Sequence, residues 1–242
     1  MIIDSHNHVG GPDKGDGAKQ SHEDIIAVMD RIGIDKAVIF PFNEMEPGIS
    51  FSNANSYILE GVRKYPDRLV GFARLDPNFK EAAVREAERA VASGLSGIKL
   101  HPKGQNFPTS HPWALKIVEK SAELGVPVVF DNGKDISPNR EIAKLAEVEG
   151  SVIILAHMRG EDFIEVTEEN ENVYLGTVKA DVMDVEKAIA ALGPEKIIAG
   201  SDSPYASMEE EMIKKFERID TVSGRDKRLI KGENMAKLLD IS

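Results

Sequence analysis

Two histidines separated by one residue, His6 and His8, lie at the end of the first apolar run of the sequence. If this run is a strand, side chains two positions apart point to the same face. Two imidazoles that project together can bind one divalent metal ion. The alternative is a chance His-Asn-His in a loop with no chemical role. The position at a strand end favours the metal site, so both residues are predicted ligands.

A histidine and an aspartate follow two later apolar runs. His157 comes directly after VIILA, and Asp202 comes after IIAGS. Alone, His157 could be a hydrogen-bonded structural residue. Asp202 could cap a turn, since Ser-Asp-Ser-Pro is typical turn sequence. Their shared placement at strand ends, together with His6 and His8, predicts that all four belong to one site.

The elements that must position these residues are short apolar runs that alternate with segments of helical periodicity. This alternation is typical of βα units and a parallel sheet. The predicted strands are 2–6, 37–41, 69–73, 97–101, 126–131, 152–156, 173–176 and 197–200.

Eight βα units are the number that closes a barrel. The sequence therefore predicts an α/β fold, a (β/α)8 TIM barrel that forms a single domain over 1–242, with a closing helix at 226–239. An open doubly wound sheet is the runner-up, but it often carries a glycine-rich phosphate loop, which this sequence lacks. Three long loops, 10–21, 42–56 and 102–112, are predicted at the barrel mouth, where catalytic residues of such barrels lie.

The composition excludes several classes of protein. Without cysteine there can be no disulfide, thiolate zinc site or cysteine nucleophile, so a transition-metal site must use His, Asp, Glu or a modified Lys. A formal net charge of −11 argues against a nucleic-acid partner. The sequence contains no apolar run of about 20 residues that could span a membrane. Its N-terminal segment MIIDSHNHVGG lacks the features of a signal peptide, so we expect a cytoplasmic protein.

Five segments resemble, in order, the successive signatures of the amidohydrolase-related superfamily, and most closely the branch called amidohydrolase family 2: IDSHNH, GIKLHP, LAHMRG, GSDSPY and GENMAKLL. The resemblance covers essentially the whole chain. It implies a metal-dependent hydrolase in which His6 and His8 bind a divalent ion, commonly zinc. It also implies that Asp202 binds the metal or takes a proton from the attacking water, and that His157 binds the metal or contacts substrate and water. Barrels of this family often form homodimers.

The fifth strand departs from the family pattern. Members usually have a histidine at its end, whereas this chain has Asp131, in PVVFDNG. A carboxylate can still ligate a divalent ion, but as a harder ligand it shifts the preference from zinc toward manganese, iron or magnesium. Asp131 is therefore a predicted ligand. The alternative is that it forms a turn with Asn132 and Gly133.

Lys99 and His101 end the fourth strand in GIKLHP and share one face. His101 could partly replace the missing imidazole, and Lys99 could be a carbamylated ligand between two metals, but we predict that both bind substrate. Four other basic residues near strand ends could bind a substrate carboxylate or form ordinary salt bridges: Arg74, Lys103, Arg159 and Lys179. Of these, Arg159 is predicted to contact the substrate.

The sequence thus predicts hydrolysis of a small-molecule amide, ester or lactone by metal-activated water, with zinc as the expected ion and manganese or iron as alternatives. Asp202 would act as general base and then as general acid, and His157 would orient the water or stabilise the oxyanion. Three alternatives stay open. They are a nonoxidative decarboxylase that uses the same metal site, a metal-free lactonase-like hydrolase, and a non-catalytic binding barrel.

Overall fold

Eight parallel strands follow one another along the chain in this computed structural model, which describes residues 1–241. The strands are β1 (Ile3–Val9), β2 (Lys36–Pro41), β3 (Leu69–Gly71 and Ala73–Arg74), β4 (Ile98–Leu100), β5 (Val128–Phe130), β6 (Ile153–Leu155), β7 (Val173–Gly176) and β8 (Ile197–Ile198). Each lies within a residue or two of a strand predicted from the sequence, except that β1 runs on through both histidines.

The strands pair in chain order and close into a barrel. Every ladder from β1 to β8 is parallel. The third strand is interrupted at Phe72, whose N–H still donates to Ile39 on β2. Beyond the end of β8, the N–H of Asp202 donates to the carbonyl of His6 at 2.8 Å, which joins the last strand to the first. The prediction of a (β/α)8 TIM barrel is confirmed.

Helices cover the outside of the barrel. They are α1 (His22–Ile32), α2 (Ser52–Lys64), α3 (Glu81–Ala92), α4 (Pro102–Gln105), α5 (Pro112–Leu124), α6 (Asn139–Ala143), α7 (Phe163–Glu169), α8 (Val182–Leu192), α9 (Lys215–Glu217), α10 (Gly224–Arg228) and α11 (Asn234–Leu239). Short 3₁₀ turns occupy Ile49–Phe51, Pro77–Phe79, Lys144–Glu147 and Pro194–Lys196, and π-helical turns occupy Glu210–Lys214 and Leu229–Glu233. The second π-helical turn joins α10 to α11, so the chain is helical from 224 to 239, where the closing helix was predicted. Within residues 1–241, we find no helix with the length and apolar character needed to cross a membrane.

Two predicted loops contain more helix than the sequence indicated. The loop predicted at 42–56 already includes the start of α2, because its first turn, Ser-Asn-Ala-Asn, is polar and its apolar face begins only further on. The loop predicted at 102–112 contains α4, which begins with Pro102 at a position where a missing N–H costs nothing. The side chain of His101 caps this helix by accepting from the N–H of Gly104.

The barrel interior is filled by a small apolar cluster distinct from the larger layer between strands and helices. It comprises Ile3, Val38, Phe40, Phe72, Val129, Ile154, Ala156, Ile198 and Met235. Met235 comes from α11, so the closing helix packs against the floor of the barrel. The close approach depends on Gly232, where a Cβ atom would lie 2.3 Å from the carbonyl oxygen of Met1. Because the closing helix covers this end of the barrel, the barrel opens at its other end, where the carboxyl ends of the strands lie.

Phe72 offers a test of this packing. It is fully buried inside the barrel, and its ring occupies the space beside Gly97. We expect Phe72→Ala to lower the free energy of unfolding by about 3–5 kcal/mol in urea denaturation, because a large cavity would open. Phe79→Ala is the matched control, since Phe79 is 44% exposed, and it should change stability by less than ~0.5 kcal/mol. Equal effects of the two substitutions would contradict the packing described.

Candidate metal centre

A cavity of about 310 Å³ lies at the carboxyl ends of the strands. This volume is at the lower end of the range for small-molecule sites. Its lining includes every residue that the sequence placed in the site: His6, His8, Lys99, His101, Asp131, His157, Arg159 and Asp202. A larger cavity of about 580 Å³ lies beside α1 and α2, and none of these residues lines it.

His6, His8 and Asp202 converge at one point of this cavity. Asp202 Oδ1 lies 3.6 Å from His6 Nε2 and 3.2 Å from His8 Nε2. One ligand atom from each residue lies within 4.8 Å of the other two, and all three residues are buried. Metal–ligand bonds of about 2.1 Å at tetrahedral angles place ligand atoms about 3.4 Å apart. The two measured distances bracket that value.

The loop after β8 holds Asp202 in a strained conformation. Its φ of 74° lies in the left-handed region, which costs free energy for a residue with a Cβ atom. The N–H of Asp202 is fixed by the His6 carbonyl, and its second oxygen, Oδ2, lies 2.8 Å from the ammonium of Lys179. Burial alone would raise the pKa of Asp202, but its contacts with His8, His6 and Lys179 lower it well below the ordinary value. The carboxylate is therefore ionised.

Asp4 ties the two ligand-bearing segments together beneath the site. Its carboxylate accepts from the N–H of His6 at 3.2 Å, from the N–H of Ser201 at 2.9 Å and from the hydroxyl of Ser201 at 2.5 Å. Burial raises the pKa of Asp4 to about 7, despite these hydrogen bonds. Because one carboxylate bridges β1 and the loop after β8, it sets the spacing between the histidines and Asp202.

Backbone carbonyls fix the protonation of two rings. His8 Nδ1 lies 3.4 Å from the carbonyl of Pro41, and His157 Nδ1 lies 3.0 Å from that of Val178. Since a carbonyl only accepts, each Nδ1 carries the proton, and in a neutral ring Nε2 is an acceptor. Yet His8 Nε2 faces Asp202, and His157 Nε2 faces Asp131 Oδ2 at 3.2 Å.

Each of these acceptor pairs needs a cation, which is either a second proton on the ring or a metal ion. Burial lowers the pKa of both His8 and His157, which disfavours the second proton. His6 Nε2 lies 3.6 Å from the same Asp202 oxygen and 3.4 Å from the Lys99 ammonium, and burial lowers the pKa of His6 as well. Two imidazoles that favour the neutral form and one carboxylate, converging in this way, fit a divalent cation.

Asp131 lies in the same cavity but outside this cluster. Its Oδ1 bonds to Lys134, and its Oδ2 faces His157, His101 at 3.6 Å and Arg159 at 3.8 Å. Burial would raise the pKa of Asp131, but its contact with His157 and the charges of His101 and Lys99 lower it well below the ordinary value. One oxygen of this predicted ligand is thus bonded to Lys134, and the other faces three side chains at 3.2 to 3.8 Å.

Lys99 and His101 both line the cavity but differ in their partners. The Lys99 ammonium lies 3.4 Å from His6 Nε2 and 5.0 Å from the centre of the Phe40 ring. Burial lowers the pKa of Lys99 to about 7. His101 uses Nδ1 to accept from Gly104, so Nε2 carries its proton and points to Asp131.

Several residues around the site were not found by reasoning from the sequence. Lys134 comes three residues after Asp131, and Tyr205 comes three after Asp202, where its ring packs 5.3 Å from that of His8. Asp4 lies inside the IDSHNH segment already noted. The only signal that could have identified them is that each lies close in the sequence to a predicted site residue. Asp13 and Asn43 also line the cavity, and nothing in the sequence marks them.

A family model described as amidohydrolase matches residues 3–241. The chain therefore belongs to the amidohydrolase family, as the sequence motifs predicted. No curated protein sequence matches it.

Solved structures with the same fold cover the whole chain at low identity. The 5-carboxyvanillate decarboxylase of Sphingomonas paucimobilis has a TM-score of 0.79 at 16% identity and covers 100% of this chain and 99% of its own. A dihydroxybenzoic acid decarboxylase of a Polaromonas species, with bound manganese and the inhibitor 2-nitroresorcinol, gives 0.75 at 18%, with 99% and 96% covered. A protein assigned as a 2-pyrone-4,6-dicarboxylic acid hydrolase of Acinetobacter baumannii, with citric acid bound, gives 0.72 at 18%, with 99% of each chain covered.

The hydrogen-bond partners predict different tautomers for histidines of one cavity. In metal-free protein at about pH 8, ¹⁵N NMR of the imidazoles should show the proton on Nδ1 in His8 and His157, because each faces a carbonyl. It should show the proton on Nε2 in His101, whose Nδ1 accepts a backbone N–H. His111 is an internal control, since its Nδ1 also accepts an N–H. An Nε2–H form of His157 would contradict the acceptor pairing.

Proposed function

We propose that this chain is a metal-dependent enzyme in which His6, His8 and Asp202 hold one divalent ion, with His157 beside them. The observation that supports this most strongly is the convergence of two buried imidazoles and one buried carboxylate, whose ligand atoms all lie within 4.8 Å of one another. Two imidazoles and one carboxylate suit zinc, manganese and iron. The manganese bound in the Polaromonas decarboxylase makes manganese the first ion to test beside zinc. In this proposal Asp131 positions His157 and His101 and is not a fourth ligand.

The reaction that we favour is hydrolysis of a small molecule. A bound divalent ion would polarise a substrate carbonyl and lower the pKa of water. Asp202 is ionised and would accept the proton of the attacking water and return it to the leaving group. Its ion pair with Lys179 keeps one oxygen fixed while the other faces the histidines. His157, held by Val178 and Asp131, would orient the attacking water.

Nonoxidative decarboxylation is a second candidate, favoured by the decarboxylases among the structures with this fold. In that reaction the bond from the ring carbon to the carboxylate breaks, CO₂ leaves, and the carbon takes a proton. His157 lines the cavity in which the substrate would lie, with Nε2 3.2 Å from Asp131 Oδ2. The two reactions differ in products, since only hydrolysis consumes water.

The small cavity sets the size of the substrate. A volume of about 310 Å³ holds a molecule of one ring with its substituents and excludes a polymer chain from the interior. The two other functions raised by the sequence, a metal-free lactonase-like hydrolase and a non-catalytic binding barrel, both require that no metal binds at His6 and His8. Metal content therefore separates them from the proposal.

Metal binding is the first consequence to measure. Purified protein incubated with Mn²⁺ or Zn²⁺ and then desalted should retain about one equivalent by elemental analysis. His6→Ala and His8→Ala should each retain at least ~10-fold less at the same free metal concentration, because each removes a ligand. His111→Ala, which lies outside the cluster, is the matched control and should retain the metal. Equal retention by all the variants would exclude the site, and two equivalents would point to Lys99 as a bridging ligand.

Turnover tests the role of Asp202. We expect Asp202→Asn to lower kcat by roughly 100-fold or more, because an amide cannot accept the proton. The assays are CO₂ release from 5-carboxyvanillate and 2,6-dihydroxybenzoate, and ring opening across a panel of lactones. Asp184→Asn, on the surface of α8, is the control and should keep full activity. Full turnover by Asp202→Asn would refute the role.

A further inference from the structure

The loop that follows β7, residues 177–180, contacts two groups of the metal centre. The carbonyl of Val178 accepts from His157 Nδ1 at 3.0 Å. The ammonium of Lys179, the next residue, lies 2.8 Å from Asp202 Oδ2. The position of this loop therefore affects both the nitrogen of His157 that carries the proton and the oxygen of Asp202 that is fixed.

The loop adopts a conformation that its own residues do not favour. Lys179 has a φ of 54°, in the left-handed region, which costs free energy for a residue with a Cβ atom. Backbone hydrogen bonds fix Thr177 to the carbonyl of Ile198 at 3.0 Å and close the turn from Ala180 to Thr177 at 3.1 Å. Neither of them holds Val178 or Lys179, so these two residues need support from another part of the fold.

Glu211 and Lys215 supply this support from the helical segment after β8. They are buried, with 9% and 3% of their surfaces exposed, and they form an ion pair about one helical turn apart. Glu211 Oε2 accepts from the N–H of Lys179 at 3.0 Å. The Lys215 ammonium donates to the carbonyl of Thr177 at 3.1 Å. The Glu211–Lys215 pair thus holds the loop on both sides of Val178.

Stability alone does not explain why the Glu211–Lys215 pair is buried. The desolvation of two charges offsets much of their attraction, so apolar side chains of similar volume often stabilise a protein as well or better. Neither residue lines the cavity, so neither can contact a substrate there. Glu211 also lies in the π-helical turn Glu210–Lys214, and turns of this rare type occur frequently at functional sites.

We propose that the Glu211–Lys215 pair positions His157 and Lys179 for the reaction, through the loop after β7. This inference rests on the proposed function, in that it takes His157 and Asp202 as groups that act on water or substrate. Glu211 and Lys215 are positioning residues, because each acts only through the backbone of the loop.

The tautomer of His157 reports on the Glu211–Lys215 pair. Asp131 Oδ2 lies 3.2 Å from His157 Nε2 and can accept a proton there, whereas the carbonyl of Val178 accepts one at Nδ1. A neutral ring carries a proton on only one of its nitrogens. Holding Val178 in place therefore favours the Nδ1–H form. If the loop is released, Asp131 should draw the proton to Nε2.

The test replaces both members of the pair by apolar side chains of similar length, in Glu211→Met/Lys215→Met. No buried charge is left without a partner, so we expect the Tm to be unchanged or raised. In metal-free protein at about pH 8, ¹⁵N NMR should show at least roughly one third of His157 in the Nε2–H form. His8, whose Nδ1 faces the carbonyl of Pro41, should keep its proton on Nδ1.

The matched control is Glu210→Met/Arg218→Met, which removes an ion pair of the same helical segment whose side chains are 42% and 54% exposed. It should leave His157 in the Nδ1–H form. Kinetics on the substrate that the turnover assays identify give a second readout. We expect Glu211→Met/Lys215→Met to lower kcat by roughly 10- to 100-fold and to change KM by less than about 3-fold, because the loop is displaced and the metal ligands are not.

A second variant, Glu211→Asp, keeps the charge and shortens the side chain by one methylene, which withdraws the acceptor from the N–H of Lys179. It should give a His157 tautomer ratio between those of the natural protein and the double variant, and it tests the inference if the double variant does not fold. Retention of the Nδ1–H form in the variants that fold, or an equal change in the control, would overturn the positioning role.

The outcomes separate this inference from the proposed function. If no Mn²⁺ binds but the His157 tautomer still depends on the Glu211–Lys215 pair, the metal-dependent function fails and the structural basis of the positioning role stands. If Mn²⁺ binds at His6 and His8 but the tautomer does not depend on the pair, the function stands and the positioning role is wrong.

Discussion

Three side-chain atoms that can bind a metal ion meet inside this protein: Nε2 of His6, Nε2 of His8 and Oδ1 of Asp202. Burial lowers the pKa of both rings, which favours the neutral form that binds metal. One divalent cation can be bound by all three. The geometry of the cavity and the chemistry proposed for it depend on this one cluster.

Bringing the three ligands together places strain on the backbone at Asp202. Asp202 adopts a left-handed backbone conformation, and hydrogen bonds from both sides of the barrel seam hold it there. Asp4 bonds to His6 and Ser201 at once, so the spacing of the ligands is set by the closure of the first strand on the last. A metal ion bound at Asp202 would account for this local cost.

Much of the fold could be predicted because each strand is a short apolar run followed by polar residues, and every predicted strand overlaps an observed one. His6 and His8 were predictable from the two-residue period of a strand. The role of Asp4 was not, because it depends on the distance between the first and the last strand. Which side chains face Asp131 also follows only from the closed barrel, which brings His101 and His157 to its Oδ2 from the neighbouring strands.

The most direct test is a crystal structure of the protein soaked in Mn²⁺, with data collected at the manganese absorption edge. The account predicts one anomalous peak within bonding distance, about 2.0–2.3 Å, of His6 Nε2, His8 Nε2 and an Asp202 oxygen. It also predicts that Asp131 stays with Lys134 and His157. A peak bound by Asp131 and His157 alone, or no peak in the cavity, would contradict it.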